Sequence, residues 1–243
     1  MANQEIWDRI AARRSAGDAI AYGAITYGPD LPTDAELRLC GDLSGKRVLD
    51  LGSGAGENAI AFATSGAHVI ALDTSKAQLS LARKIAEVAE VRVEFHESDV
   101  CDLAFLRADS IDLAFAAGVL GEVDDLDRLL RQVHRVLRPG AAFVFSFDHP
   151  MALAVGREGA APGSLPLGAL EVRRPYFSSE RVTVTRFDEP VEVVPRTIAE
   201  VFAALHRAGY RVDTLLEPQP LRSSDPGPTI PSTVVVRARK EGV

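Results

Sequence analysis

From Gly45 onward the chain alternates short apolar runs with stretches whose apolar residues return every third or fourth position. The runs Arg47–Leu51, His68–Leu72, Val91–Phe95, Ile111–Ala116 and Ala142–Phe147 have the length and composition of buried strands, and Arg211–Glu217 and Thr233–Ala238 add two more. The clearest helical stretch is DDLDRLLRQVHRVLRPG. Its Leu126, Leu129, Leu130, Val133, Val136 and Leu137 line one face, and Pro139-Gly140 stops it. Ser75 with Gln78, Thr33 with Glu36 and Thr197 with Glu200 have the spacing of capping boxes, the last opening a helix over Thr197–Ala208. Strand and helix in strict alternation predict an α/β fold, doubly wound, with seven strands in a mostly parallel sheet and helices on both faces.

Two regions break the alternation. Residues 1–44 read as an N-terminal helical lid, with a helix holding Trp7, then YGAITYGPD and a short helix. Residues 148–196 begin rich in glycine and proline and then alternate as a β-ribbon in ERVTVTRFDEPVEVVP, a cap inserted before the last helix and strands (197–243). With the cofactor-binding core at 45–147, the expectation is one domain whose two additions overhang the carboxyl ends of the strands, where open α/β sheets bind ligands.

Composition narrows the function. A chain of 243 residues, 47% hydrophobic, is long enough for one sizeable core. A net charge of −7 argues against a nucleic-acid partner. Cys40 and Cys101 suggest neither a disulfide framework nor a zinc site. The start MANQEIWDRI lacks the pattern of a secretory signal, and no apolar run approaches the roughly 20 residues that span a bilayer, so a cytoplasmic protein with no membrane partner is expected. The sequence says nothing of oligomeric state.

Candidate chemistry begins at VLDLGSGAGENAI, residues 48–60, where an apolar strand runs into glycines at every second position. The Gly-Lys pair of a phosphate-binding P-loop is missing. Gly54, Gly56 and Ala59 satisfy a loose dinucleotide pattern, but Glu57 would set a carboxylate where the helix start otherwise attracts a pyrophosphate. A nucleoside without phosphates avoids that conflict. Strand His68–Leu72 runs into Asp73, 21 positions after Gly52, close to the roughly 20-residue offset at which an acid meets ribose hydroxyls. Thr74 follows it, and dinucleotide enzymes share this device.

Here the sequence resembles the class I S-adenosylmethionine-dependent methyltransferases, from about Asp34 to the C-terminus and most closely the bacterial small-molecule type. Asp50, Gly52, Gly54 and Gly56, with Ser53 between them, match that family's acidic residue and G-x-G-x-G. The resemblance implies a Rossmann-like sheet, with this loop against the methionine and ribose portions of S-adenosylmethionine and S-adenosylhomocysteine as product. It also implies an adenine contact at Asp99 with Ser98 and Val100 beside it, and a small-residue strand end at Ala116. Arg135-Val136-Leu137-Arg138-Pro139-Gly140-Ala141 matches the R-V-L-[KR]-P-G-G ending in all but the last glycine, and residues 196–220 also resemble small-molecule methyltransferases. One departure stands out: many relatives carry His-His or Leu-His where this chain has Leu120-Gly121-Glu122.

No [ND]-P-P-[YF] follows the fourth strand, which disfavours adenine bases and glutamine amides as acceptors. No cysteine is placed for pyrimidine carbon-5 chemistry, and Glu122, Asp124, Asp125 and Asp148 lack metal-ligand spacing, so no metal is expected. The expected activity is methyl transfer to an oxygen or nitrogen, less readily a carbon, of a small molecule. His149 is the candidate base, with Asp148 to orient it or accept protons itself, just after the fifth strand. Trp7, Tyr22, Tyr27, Tyr176 and Phe177 are candidates for an apolar substrate wall. Three rivals stay open: a cyclase or decarboxylase that keeps the cofactor without net transfer, a nicotinamide oxidoreductase, and a non-catalytic binding module.

Overall fold

In strand β1 (Arg47–Leu51) successive side chains point to opposite faces of a sheet, and both faces are buried. Val48 joins one apolar cluster with Phe62, Tyr27 and Phe115; Leu49 and Leu51 join another with Phe143, Phe145 and Leu130. The computed structural model describes residues 3–14, 23–155, 172–221 and 230–242. Around β1 stand β2 (His68–Asp73), β3 (Val93–Glu97), β4 (Ile111–Ala117), β5 (Leu137–Asp148), β8 (Tyr210–Leu216) and β9 (Thr233–Lys240). The order is β3-β2-β1-β4-β5-β9-β8, parallel from β3 through β5, with β9 antiparallel to both its neighbours. The expected seven-stranded, mostly parallel Rossmann-like sheet is therefore present.

Helices α5 (Leu126–Val136) and α7 (Ile198–Arg207) contribute to one cluster, and α3 (Glu57–Thr64) with the chain from Ile25 to Leu43 contributes to the other. Short α2 (Asp34–Leu37) lies in that chain, and α4 (Lys76–Val88) and α6 (Pro150–Val155) follow β2 and β5. No helix among the described residues is long and apolar enough to cross a membrane.

Two boundaries moved for local reasons. Strand β3 starts at Val93 rather than Val91, because the Val91 amide bonds Ala86 O at 3.0 Å and Glu90 takes a left-handed φ of 54°, closing α4 first. Strand β5 starts at Leu137, ahead of the expected Ala142. Its pairing with β4 shifts register between Leu137 and Ala142, where Pro139 has no N–H for the ladder. Among the capping boxes, Thr197 and Glu200 bond reciprocally, whereas at Ser75 only half forms. Ser75 Oγ accepts from Gln78 N at 3.0 Å, but the Gln78 side chain reaches Trp7 O instead.

Outside the sheet, β6 (Val182–Arg186) and β7 (Glu189–Val193) make the expected two-stranded ribbon. Phe187 and Asp188 turn it with φ of 49° and 61°, the pair of left-handed residues that suits a two-residue hairpin. Helix α1 (Gln4–Arg13) packs on α4 and β7, so the N-terminal helix and the ribbon meet over the same end of the sheet.

Candidate functional site

The chain runs β1-β2-β3 one way and returns to β4 on the far side of β1, which opens a crevice at the carboxyl ends of β1 and β4. The glycine loop forms its floor. Gly52, Gly54 and Gly56 take φ of 65°, 53° and 83°. A Cβ on Gly52 would sit 2.6 Å from a methyl of Val119, and one on Gly56 would sit 3.0 Å from Ala82 Cβ. Bare backbone is thus required here both by conformation and by space.

Asp73 leaves β2 beside this loop. One carboxylate oxygen accepts from Gly54 N at 2.9 Å and the other from Ser75 N at 2.8 Å. Burial raises its pKa, against those backbone bonds. Each oxygen keeps acceptor capacity after one N–H. The loop after β3 joins the same rim, since Ser98 N bonds Asp73 O at 3.1 Å. Asp99, exposed, caps Cys101 N at 2.7 Å, while the Val100 side chain turns into the core.

Beneath the loop, Asp50 is 2% exposed and its Oδ2 has no partner. Burial, then the nearby charges of Asp73 and Glu57, push its pKa well above the carboxylate range. Ser53 Oγ and Gln78 Oε1 are also buried and without partner among the described residues. Of the four such atoms among the described residues, three therefore lie in the end of β1, in this loop and in the first turn of α4 facing it. Buried polar groups are normally satisfied, and such a concentration marks where a ligand supplies the missing bonds.

Helix α1 closes the crevice from above. Trp7 Nε1 and Asn3 Nδ2 both donate to Glu122 Oε2 at 2.8 Å, and Asn3 also pairs with the Glu192 backbone of the ribbon. Gln4 Nε2 bonds Thr74 O at 3.0 Å, Ser75 Oγ donates to Asp8 at 2.5 Å, and Arg14 forms an ion pair with Glu57. That pairing accounts for Glu57, whose charge is taken up by the overlying helix. Glu122 itself lies in the short 3-10 turn Leu120–Glu122 after β4, and burial raises its pKa against the bonds from Trp7 and Asn3.

Several expected site residues fall elsewhere. Tyr27 is 1% exposed, packs on Phe115 and hydrogen-bonds Asp34, so it is a core residue and not part of a substrate wall. Its ring is large and apolar enough to fill the space under α2. Ala116 is fully buried in the core against β5, which leaves only its main chain for any ligand. His149 is 4% exposed, with Nε2 on Glu217 at 2.8 Å and Nδ1 accepting from Met151 N at 3.1 Å. Both ring nitrogens are occupied, so it is not poised as a free base. Asp148 forms an ion pair with Arg186 of the ribbon. Tyr176 and Phe177 stack edge to face, with Phe177 87% exposed. Tyr22 lies outside the described residues.

Asn3, Asp8, Arg14, Gln78, Glu122 and Arg186 join the site without having been expected there. Two of them left a signal, Glu122 as the departure from histidine after β4 and Gln78 as the capping-box partner of Ser75.

A family profile described as a methyltransferase domain matches residues 49–145, the stretch that holds the glycine loop, Asp73 and the turn at Glu122. The core is a class I S-adenosylmethionine-dependent methyltransferase domain. An S-adenosylmethionine-dependent methyltransferase structure from Mesorhizobium loti is similar at a TM-score of 0.67 and 29% identity, over 84% of this chain and 95% of that one. A ubiquinone biosynthesis O-methyltransferase from Hahella chejuensis is 36% identical over 43% of this chain and 44% of its own length. A demethylmenaquinone methyltransferase from Clavibacter sepedonicus is 37% identical over 51% and 50%. The chain thus spans about half the length of the curated relatives it matches. The domain's cofactor is S-adenosylmethionine, and the orphaned acceptors around the bare loop fit a ligand rich in N–H and O–H donors.

Proposed function

We propose that the protein transfers the methyl group of S-adenosylmethionine to an oxygen or nitrogen of a small molecule, in the cytoplasm, with no nucleic acid or membrane partner. The observation that carries this reading is the ring of unpaired buried atoms, Asp50 Oδ2, Ser53 Oγ and Gln78 Oε1, around three left-handed glycines beside Asp73. Similarity to enzymes named as O-methyltransferases supports oxygen as the first acceptor to test.

When bound, the cofactor supplies a methyl group already activated by its sulfonium. The protein's task is alignment and exclusion of water. Asp73, fixed by the Gly54 and Ser75 amides, accepts the ribose hydroxyls. Thr74 offers main chain alongside it, while Ser98, Asp99 and the Val100 main chain border the adenine. Asp50, Ser53 and Gln78 take donors at the methionine end, and the bare backbone of Gly52, Gly54 and Gly56 lets them reach it. Residues 1–44 act as a lid and 148–196 as a substrate cap on a single domain. Trp7 faces the acceptor, and Tyr176 with Phe177 line the outer mouth. His149 and Asp148 act as braces, one to the strand end at Glu217, the other to the ribbon through Arg186.

Parallel calorimetric titrations with S-adenosylmethionine, S-adenosylhomocysteine and NAD test the cofactor, followed by labelled-methyl transfer to a set of phenols, catechols and amines. Micromolar binding of the first two and transfer of label to one acceptor are expected. Binding of NAD alone would overturn the reading, and cofactor binding with substrate turnover but no S-adenosylhomocysteine would favour a cyclase or decarboxylase.

A further inference from the structure

Glu122 divides its carboxylate between two tasks. Oε2 receives both lid donors, Trp7 Nε1 and Asn3 Nδ2, each at 2.8 Å. No described residue donates to Oε1. The nearest cation of the ribbon, Arg186, acts on Glu122 electrostatically but spends its hydrogen bond and ion pair on Asp148. Asp73 contributes a like charge from the cofactor side. A half-satisfied carboxylate lies between the ribose acid Asp73 and the ribbon, whose Glu192 main chain shares Asn3 with it.

We propose that Glu122 determines acceptor specificity: its free oxygen receives the O–H or N–H of the methyl acceptor. The acceptor class is then a hydroxyl or amine. Acceptors that present a carboxylate or phosphate at this point are excluded. This rests on the methyltransferase reading above. Above its raised pKa this carboxyl is ionised and has acceptor sites only, so there it rewards a donor and repels an anion. It also distinguishes substrate from product, because a methylated oxygen has no hydrogen left to give.

Phenol and its methyl ether anisole isolate that one hydrogen. Ligand-observed NMR titrations of both against the full chain saturated with S-adenosylhomocysteine should show phenol bound at least fivefold more tightly. In Glu122→Gln the amide oxygen can keep the bonds from Trp7 and Asn3, which leaves the NH2 facing the crevice. The preference should then vanish or reverse in favour of anisole. Emission from Trp7, the one tryptophan of the chain, reports that the lid is still seated in the variant. Equal affinities in the wild type, no binding of either probe, or an unchanged preference in Glu122→Gln would each overturn the proposal. Failure of labelled-methyl transfer with the phenol preference intact would instead sink the methyltransferase reading and leave this site standing.

Discussion

At Gly52 one added methyl group would meet Val119 at 2.6 Å while the backbone holds a φ of 65°. The left-handed conformation alone costs an L-residue about 1–2 kcal/mol, and Val119 would have to move as well. Gly52→Ala should therefore lower stability by about 2 kcal/mol in chemical denaturation and weaken S-adenosylhomocysteine binding in calorimetry. Wild-type values for both would show that the loop has room for a side chain at this position. Asp73 carries a different burden, since it both stiffens the loop through Gly54 N and Ser75 N and is assigned the ribose. Asp73→Ala should cost at least tenfold in S-adenosylhomocysteine affinity, about 1.4 kcal/mol or more. An unchanged Kd would remove Asp73 from the site.

Helix α1 shows where sequence stops being informative about an element. Its existence was legible, as were the strands that position the loop, because apolar periodicity follows from burial on one or two faces. Glycines at alternate positions and an acid 21 residues on were legible too, since local backbone geometry imposes them. What could not be read was which partners the polar face of α1 would find. Asn3, Asp8 and Arg14 reach residues 119, 67 and 43 positions away, and no local pattern encodes such pairings. The same limit misplaced Tyr27, whose aromatic ring suits a substrate wall as well as a core until the packing is known. If α1, fastened to α4, β7 and the turn at Glu122, is the lid proposed above, a ligand leaves the crevice only after some of these bonds open. Hydrogen exchange of the α1 amides should slow at least severalfold when S-adenosylhomocysteine binds, because opening then also loses ligand contacts. Exchange that is indifferent to ligand would mean that α1 does not cover the site.

Across the whole molecule, two groups of acids pull stability in opposite directions with pH. Burial raises the pKa values of Asp50, Asp73 and Glu122 around the crevice. For Asp112 and Asp213 burial also pushes upward, but it is outweighed. Arg47 N and Arg138 lower Asp112, and Arg237 and Arg239 lower Asp213. A raised acid binds more protons folded than unfolded, so its contribution is full below the ordinary carboxylate range. That contribution is lost as pH climbs through the raised value. A lowered acid does the reverse, contributing above that range and losing it as pH falls through the lowered value. Ligand-free protein should therefore be most stable just above the ordinary carboxylate values of about 4, with one limb falling into acid and another falling as the crevice ionises. The second limb couples to the cofactor. Ionising Asp50, Asp73 and Glu122 adds negative charge beside Asp8 and Glu57, where Arg14 and Arg186 are already paired with Glu57 and Asp148, and so favours a cationic sulfonium over the neutral thioether of S-adenosylhomocysteine. The ratio of S-adenosylmethionine to S-adenosylhomocysteine affinity, measured by calorimetry from pH 5 to 8, should rise with pH and flatten in Asp50→Asn. A ratio independent of pH in the wild type would mean that these carboxylates do not face the bound cofactor, whatever their burial.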